Sequence, residues 1–455
     1  MEFRQVYTQG LAHCSYVIGG KNECVVVDPS RSIDRYIQIA ENFGLPITAI
    51  IETHLHADFI SGHVELAKRT GATIYISAQA NAEFEHFSVK DEEEFRIDTL
   101  MFKMLDTPGH TPEGSVFIVS DLERGEKPAL VFSGDTLLIG DAGRPDLFPD
   151  IKDELAAKLY KSLQKIKEIG DHVEVYPAHG AGSLCGKVLS SKLSSTIGTE
   201  RMYNGAMQLH PEDLFIQAFL EDMPEAPDHF SRCSETNRKR PALIAELPKP
   251  KPLSPGKFLK ELEKGAIIVD TRDQLSFASA HIPKAYGLSI KGNFATFSGW
   301  VLPPDKPILL VMEADDDLKT ILPALYSVGL DNVIGYLHNG MTTWAEEGLR
   351  TSYLKSISIL ELKDLWDRND VLLIDTRLKS EYEVLHIEGS IHCPAPDVRH
   401  RYQEFISDKP AAFICNTGNR SLLAASLMLN LSESPHVINV IGGTSAWQKA
   451  GCPLG

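Results

Sequence analysis

The 455-residue sequence lacks any long apolar run, and its first residues lack the apolar core of a secretion signal. Because a membrane-spanning helix needs about 20 consecutive apolar residues, neither a membrane anchor nor a signal peptide is expected. Basic residues are also in deficit: 45 lysines and arginines stand against 62 aspartates and glutamates, for a formal net charge of -17. Nucleic acid and anionic membranes need a basic face, so both are excluded as partners and a cytoplasmic enzyme of small-molecule chemistry is expected.

The seven cysteines are odd in number, scattered, and without CxxC pairs. A disulfide framework is therefore not expected, and most of these cysteines are interpreted as small buried hydrophobic residues. Cys415 alone lies in a loop whose composition indicates an activated thiol.

The chain is long enough for about three domains at roughly 150 residues each. In residues 1–235, short β-branched runs predict strands that alternate with helices, and residues 236–253, rich in proline and lysine, predict an extended linker. The sequence then repeats itself, since residues 267–272 (IIVDTR) recur as residues 372–377 (LLIDTR). A multidomain α/β protein is predicted.

The two repeated segments are residues 254–352, here called the first copy, and residues 353–455, the second copy. In each copy strands alternate with helices, which predicts an α/β domain with a mainly parallel sheet covered on both faces.

Metal-capable side chains collect in the loops after the predicted strands of the N-terminal domain. A lone histidine is usually structural, but six such groups at strand ends favour a metal site. They are His54, His56, Asp58, His110, Asp135 and His179.

These loops resemble the metal motifs of the metallo-β-lactamase superfamily, THxHxD(H), GH(T), GDT and HG. Within it, residues 107–111 (TPGHT) and 143–146 (GRPD) resemble the persulfide dioxygenases most closely. The resemblance implies an αββα sandwich that binds one Fe(II) per N-terminal domain through His54, His110 and Asp135. Two histidines and one carboxylate suit non-haem Fe(II), because positions stay free for substrate and O₂.

The resemblance also implies where a second metal would bind. In a dinuclear hydrolase of this fold, the residues at the positions of Asp58, Phe59 and His179 would hold it. Phe59 cannot bind a metal, so one metal is predicted. His56, Asp58 and His179 are then interpreted as residues that orient the ligands or bound water through hydrogen bonds.

Two further residues are candidates for substrate binding. Arg144, between Asp141 and Asp146, either binds a carboxylate or phosphate of a thiol carrier or forms an internal ion pair, and the sequence leaves both open. The ring of Phe59 is a candidate wall for the persulfide sulfur. Cys185, shortly after His179, is interpreted as structural, and a functional role stays open.

Cys415 begins a six-residue loop, residues 415–420 (CNTGNR), between a predicted strand and a helix. The positive end of the helix and the backbone N–H groups of the loop favour the thiolate, and Arg420 would bind an oxyanion such as sulfite. The loop, with Asp375 and residues 442–447 (GGTSAW), resembles the rhodanese family of sulfurtransferases, which use this six-residue form.

The first copy lacks this chemistry. Aligned through the shared Asp-Lys-Pro of the two copies, Met312 stands at the position of Cys415, and Asp317 at that of Arg420. The first copy is therefore expected to be catalytically silent.

The whole arrangement resembles the bacterial fusions of a persulfide dioxygenase with a sulfurtransferase. That resemblance implies oxidation of a low-molecular-weight thiol persulfide by O₂ to thiol and sulfite, and transfer of sulfane sulfur through Cys415 to sulfite, which gives thiosulfate. A homo-oligomer, dimer or tetramer, is expected. Two alternatives stay open: a dinuclear zinc thioester hydrolase of the glyoxalase II type with an appended sulfurtransferase, and a sulfur-carrier or persulfide-sensing scaffold with a structural metal.

Overall fold

The computed structural model describes residues 1–187, 189–221, 223, 225–432 and 436–454. The backbone forms two compact units, which are Met1–Glu246 with Tyr326–Gly329, and Leu247–Leu325 with Leu330–Gly455. Among the described residues, no helix combines the length and the apolarity needed to cross a membrane.

The first unit contains two six-stranded sheets. In the first sheet the strands lie in chain order, antiparallel up to the third strand and parallel from there on. These strands are β1 (Glu2–Thr8), β2 (His13–Gly19), β3 (Cys24–Val27), β4 (Ile47–Ile51), β5 (Thr73–Ser77) and β6 (Phe87–Val89).

The second sheet is antiparallel except for one parallel pair, formed by its fourth and fifth strands in chain order. Its strands also lie side by side in chain order. Its strands are β7 (Glu94–Ile97), β8 (Leu100–Asp106), β9 (Ser115–Asp121), β10 (Leu130–Gly134), β11 (Glu174–Pro177) and β12 (Ser195–Thr196).

Alternation of side chains builds the layers of this unit, because successive residues of a strand point to opposite faces. In β2, Tyr16 and Ile18 join a core with residues of the second sheet such as Phe102, Phe117 and Phe132. The neighbouring Val17 instead joins a core with Tyr36 and Leu66 of the outer helices. The helices of the unit are α1 (Asp34–Phe43), α2 (His63–Thr70), α3 (Lys152–Lys167), α4 (Ile197–Tyr203), α5 (Gly205–Gln208), α6 (Glu212–Leu220) and α7 (His229–Lys239).

Helix α3 covers the outer face of the second sheet through Leu159, Leu163 and Ile166. The predicted αββα sandwich is therefore confirmed.

The second unit contains two five-stranded parallel sheets, one from each copy. The sheet of the first copy consists of β13 (Lys251–Leu253), which lies just before that copy, and of β14 (Ile267–Asp270), β15 (Tyr286–Gly287), β16 (Ile308–Val311) and β17 (Val333–Leu337), in the order β13-β17-β16-β14-β15. Those of the second copy are β18 (Lys355–Ile357), β19 (Leu372–Asp375), β20 (Ile391–His392), β21 (Ala411–Ile414) and β22 (Val437–Val440), in the order β18-β22-β21-β19-β20.

The strand order is the same in both copies, which confirms two related α/β domains with parallel sheets. The helices of the first copy are α8 (Pro255–Glu263), α9 (Gln274–Ser279), α10 (Phe294–Val301), α11 (Leu318–Ser327) and α12 (Gly340–Glu346). Those of the second copy are α13 (Ile359–Asp367), α14 (Lys379–Val384), α15 (Val398–Arg401), α16 (Asn419–Leu431) and α17 (Gly443–Lys449).

The predicted linker, residues 236–253, overlaps the ends of two regular elements. Helix α7 continues to Lys239, and β13 begins at Lys251. Pro252 fits into β13 because β13 is an edge strand, where a missing backbone N–H leaves no buried carbonyl unsatisfied.

Candidate metal centre and cysteine loop

The ends of four strands position the metal-capable side chains of the first unit. Residues 54–58 follow β4, His110 lies between β8 and β9, Asp135 follows β10, and His179 follows β11. Backbone hydrogen bonds tie these loops together, including Ser115 N to Thr53 O (2.9 Å) and Ala178 N to Gly134 O (2.9 Å). All six side chains are buried.

Three of them converge on one point. The Nε2 atoms of His110 and His54 lie 3.4 and 3.8 Å from Oδ2 of Asp135. Both Nε2 atoms are buried and have no hydrogen-bond partner within the described part of the chain. Because a buried polar atom without a partner is costly, two such atoms aimed at one carboxylate fit a bound metal ion.

The opposite ring nitrogens fix the tautomers of both histidines. Thr53 Oγ1 donates its single hydrogen to Asp28 Oδ2 (2.9 Å), so it accepts from Nδ1–H of His54 (2.9 Å). Nδ1–H of His110 donates to the carbonyl oxygen of Arg144 (2.8 Å). Each Nε2 therefore presents a lone pair toward Asp135, as a metal ligand must.

The ionisation states agree with this assignment. Burial, assisted by His56, holds the pKa of His54 well below its ordinary value, and burial also lowers the pKa of His110. Burial opposes ionisation of Asp135, but His179 together with His110 and His54 outweighs it and holds the pKa of that carboxyl well below its usual range. Two neutral imidazoles and one carboxylate result.

His179 and Asp58 form a second layer behind Asp135. Nδ1 of His179 donates to Oδ1 and Oδ2 of Asp135 (2.8 and 2.9 Å), and its Nε2 lies 2.9 Å from Oδ2 of Asp58. Burial disfavours a charged ring, but Asp135 and Asp58 together raise the pKa of His179 well above its ordinary value. An imidazolium held between two carboxylates orients the ligand Asp135.

Cys185 completes a second group of close donor atoms with Asp58 and His179, all within 4.8 Å of one another. Burial and the carboxylate of Asp58 raise the pKa of the Cys185 thiol to about 12, so the thiol is protonated. The sequence, in which Cys185 closely follows His179, favours a structural role and leaves a functional one open. It did not predict that the thiol lies beside Asp58.

Phe59 is fully buried and packs between histidine rings, with centroid distances of 4.4 Å to His56 and 4.2 Å to His13. The sequence did not predict the place of His13, whose two ring nitrogens are buried without a partner among the described residues. Burial, together with the positive charge of His179, lowers the pKa of His13 well below its ordinary value. The Phe59 ring thus fills space beside the candidate metal site.

The ring of His56 packs against that of His54 (4.2 Å between centroids), and its Nε2 lies near a pair of buried acids. Its Nε2 lies 3.3 Å from Oδ1 of Asp28 and 3.7 Å from Oε2 of Glu52. Burial and the neighbouring Asp28 raise the pKa of Glu52 well above its usual range. The carboxylate of Asp28 also accepts hydrogen bonds from Thr53 N and Thr53 Oγ1. Asp28 therefore supports the loop that carries His54 and His56.

Arg144 forms the internal ion pair that the sequence left open. Its guanidinium is 1% exposed, and Nε and Nη2 each donate to the Asp146 carboxylate at 2.7 Å. A role in binding the carrier is therefore not retained for its side chain. Instead, the backbone carbonyl of Arg144 orients His110.

In the second unit, Cys415 follows β21 directly, and α16 begins four residues later, at Asn419. The backbone N–H of Gly418 donates to Cys415 Sγ (3.0 Å). Thr444 N donates to the Cys415 carbonyl (2.7 Å), and the side-chain oxygen of Asn416 accepts from Ser445 Oγ (2.7 Å), so the first turn of α17 braces the loop.

Arg420 pairs with Glu381 of α14, a contact that no sequence motif announced. Nη2 of Arg420 donates to Oε1 of Glu381 (2.7 Å), and Nη1 donates to Oε2. Burial opposes ionisation of Glu381, but these hydrogen bonds lower its pKa. The ion pair fixes the guanidinium at the end of the cysteine loop.

The equivalent loop of the first copy has a different chemistry. Met312 follows β16 directly and is buried, and the carboxylate of Asp317 accepts from the backbone N–H of Ala314 (3.0 Å). A thioether and a carboxylate at these positions offer neither a nucleophile nor an anion site.

Two protein-family models match this chain, one in the first unit and one mainly in the second. The model of the metallo-beta-lactamase superfamily matches residues 9–179, and that of the rhodanese-like domain matches residues 254–347 and 358–450. Both family resemblances found in the sequence are thereby confirmed.

Two similar proteins and one similar crystal structure show the kinds of protein that this chain resembles. A hydroxyacylglutathione hydrolase of Prochlorococcus marinus (strain MIT 9211) is 29% identical over 202 residues, 44% of this chain and 70% of that protein. The mitochondrial persulfide dioxygenase ETHE1 of Bos taurus is 27% identical over 215 residues, 46% of this chain and 77% of that protein. The crystal structure of a metallo-beta-lactamase from Staphylococcus aureus subsp. aureus COL has a TM-score of 0.67 and 30% identity, covering 74% of this chain and 98% of that chain.

Proposed function

Because the chain belongs to the metallo-β-lactamase superfamily and carries two rhodanese-like domains, we propose that it is a persulfide dioxygenase joined to a sulfurtransferase. In the first reaction a low-molecular-weight thiol persulfide, O₂ and water give the thiol, sulfite and two protons. In the second, another persulfide and sulfite give the thiol and thiosulfate.

The observation that carries the first reaction is the pair of unpartnered Nε2 atoms of His54 and His110 facing Asp135. When bound there, Fe(II) supplies redox chemistry and open coordination positions for the persulfide sulfur and O₂. The three protein donors leave such positions because, among the described residues, the group has three members. A structural metal in a carrier or sensing scaffold would need a closed set of protein ligands.

The chain's own residues prepare this centre in three ways. Thr53 and the Arg144 carbonyl hold the two histidines in the tautomer that binds a metal. His179 holds Asp135 through two hydrogen bonds. The buried ring of Phe59 supports a mononuclear centre, since it offers no donor atom where a second metal would need one.

In the second reaction the Cys415 thiolate attacks the outer sulfur of a persulfide. The sulfur–sulfur bond of the persulfide breaks, the thiol leaves with the proton, and Cys415 keeps the sulfane sulfur. Sulfite then attacks that sulfur, thiosulfate leaves, and the thiolate is restored. The hydrogen bond from Gly418 N and the start of α16 stabilise the negative sulfur in both steps.

One alternative retains specific support. Asp58, His179 and Cys185 form a second possible ligand group, and the hydroxyacylglutathione hydrolase of P. marinus is a relative. With two zinc ions bound, such a centre would hydrolyse thioesters of glutathione instead of oxidising persulfides.

Metal analysis and O₂ uptake on the same preparation decide between the two. The protein is purified without oxygen, its metals are quantified, and O₂ uptake is measured with glutathione persulfide while hydrolysis is measured with lactoylglutathione. The proposal expects about one iron per chain and persulfide-dependent uptake. Two zinc ions per chain, thioester hydrolysis and no uptake would establish the alternative.

A further inference from the structure

Helix α16, which follows the cysteine loop, is buried on all of its faces. Residues 421–428 are all buried, whereas a helix that covers a sheet normally exposes its outer face. One face of α16 packs on β21 and β22 of its own sheet, and another packs on β15 of the first copy. The silent copy therefore covers the face of α16 that an isolated domain would leave exposed.

The contacts along α16 are close and polar as well as apolar. The backbone N–H of Gly287 donates to Ser426 Oγ (3.0 Å), and Lys284 Nζ donates to the carbonyl of Asn430 (2.8 Å). A Cβ atom at Gly287 would lie 3.1 Å from Cγ of Leu422, which is tighter than ordinary van der Waals contact. The first copy thus fixes the position of α16 over several turns.

Gln274 extends this support to the cysteine loop itself. It begins α9, and its Nε2 donates to the carbonyl oxygen of Thr417 (3.4 Å). The peptide that carries this carbonyl also carries the N–H of Gly418, which donates to Cys415 Sγ (3.0 Å). One amide of the silent copy therefore lies one peptide group away from the reactive sulfur.

The side-chain amide of Gln274 also packs closely against Gly418. Gly418 has a φ of 112°, and a Cβ atom there would lie 2.8 Å from Cδ of Gln274. Oε1 of Gln274 is buried and has no hydrogen-bond partner among the described residues. The amide is thus held against the Thr417–Gly418 peptide by shape, with its donor side on the carbonyl.

We propose that Gln274 of the silent copy is a positioning residue for Cys415, acting through the Thr417–Gly418 peptide. A carbonyl that accepts a hydrogen bond polarises its own peptide, which strengthens the N–H bond made on the other side. Gln274 therefore favours the negative sulfur of Cys415 without touching the substrate. The inference rests on the proposed function only in assigning sulfur transfer to Cys415.

The test compares two isosteric variants of the full chain, Gln274→Met and Gln274→Glu, with Leu275→Ala as the control. Leu275 is the next residue of the same helix and is 56% exposed. The rate of iodoacetamide alkylation is measured against pH on the peptide that contains Cys415. With Gln274→Met the rate at neutral pH falls about threefold, the scale of one weak neutral hydrogen bond, and the profile moves to higher pH. Gln274→Glu moves it further, because a carboxylate repels the thiolate.

Thiosulfate formation gives an independent readout. In Gln274→Met, kcat falls by a similar factor while the KM for sulfite stays unchanged, because Gln274 contacts the loop and not the substrate. Leu275→Ala leaves both profiles at the wild-type values. Thermal unfolding of each variant identifies a folding defect, and Gln274→Glu supplies the comparison if Gln274→Met unfolds.

Wild-type alkylation profiles in both Gln274 variants would overturn the proposal. Failure of the proposed function leaves a different result: no thiosulfate forms even in the wild type, while the alkylation profiles of the Gln274 variants still differ from it. The two failures are therefore distinguishable.

Discussion

The candidate metal centre and the cysteine loop hold their reactive groups in opposite ways. The candidate centre draws His54, His110 and Asp135 from three loops, and each of these side chains is oriented by a partner elsewhere in the first unit. The cysteine loop lies within residues 415–420, and the nearest N–H to the sulfur comes from Gly418. The first site depends on tertiary structure and the second is mostly local. A substitution that inactivates one site should therefore leave the other site active.

The largest expected effect is the loss of one activity alone. His110→Gln removes a lone pair from the metal centre, so iron content and persulfide-dependent O₂ uptake are lost, while thiosulfate still forms from added persulfide and sulfite. Metal analysis and the two assays check this result. His63→Gln, which replaces another buried histidine of the same unit, is the control and retains uptake. Loss of both activities in His110→Gln would contradict the separation.

Cys415→Ser is the reciprocal variant. Thiosulfate formation is lost because a serine hydroxyl cannot carry the sulfane sulfur, and O₂ uptake persists. Sulfite and thiosulfate are measured by chromatography alongside O₂ uptake. Cys452→Ser is the control, since Cys452 is another buried cysteine of the second copy. Equal loss of uptake and thiosulfate would mean that the two sites are obligatorily coupled.

A smaller effect is expected from restoring a donor beside the metal centre. Phe59→His places an imidazole next to Asp58 and the His179 group, so the protein binds a second metal ion when zinc is supplied. O₂ uptake falls by roughly tenfold, the scale on which neighbours of metal ligands tune activity. Phe84→His, at another buried phenylalanine of the first unit, is the control. One metal per chain in Phe59→His would show that position 59 does not set the metal count.

The smallest effect concerns stability against pH. Burial lowers the pKa of His63 to about 3 from 6.5, so between these values the unfolded chain binds a proton that the folded chain does not. The free energy of unfolding therefore falls as the pH falls through this window. One proton contributes about 1.4 kcal/mol per pH unit.

His63→Phe removes this proton uptake, so the free energy of unfolding depends less steeply on pH, by the contribution of about one proton. Denaturant unfolding at several pH values between 4 and 6.5, within the window set by the shifted pKa, measures this change. The exposed His172→Phe serves as the control and leaves the slope unchanged. An unaltered slope in His63→Phe would mean that His63 is not a buried neutral residue in the folded protein.

Local patterns made much of the fold predictable. β-branched runs that end in polar loops indicated the strands, and the recurrence of residues 267–272 at 372–377 indicated two copies with the same topology. The resemblance to the metallo-β-lactamase motifs also implied that the loops with His54, His110 and Asp135 converge. The structure brings those three side chains together.

The contacts that the sequence did not predict join residues far apart in the chain and belong to no motif. Glu381 on Arg420 and Gln274 on Thr417 are of this kind, and so is the packing of His13 on Phe59. Arg144 illustrates a different limit, since local spacing offered both an anion site and an ion pair. The Arg144 side chain is buried, which the sequence does not predict at that position, and it forms the ion pair with Asp146.

The most direct test of the central claim is the stoichiometry of oxygen consumption in Cys415→Ser. This variant cannot consume sulfite, so every product of the metal centre accumulates. The account predicts that glutathione persulfide, O₂ and sulfite change in equal amounts, with no thiosulfate. Loss of persulfide without O₂ consumption, or O₂ consumption without sulfite, would contradict it.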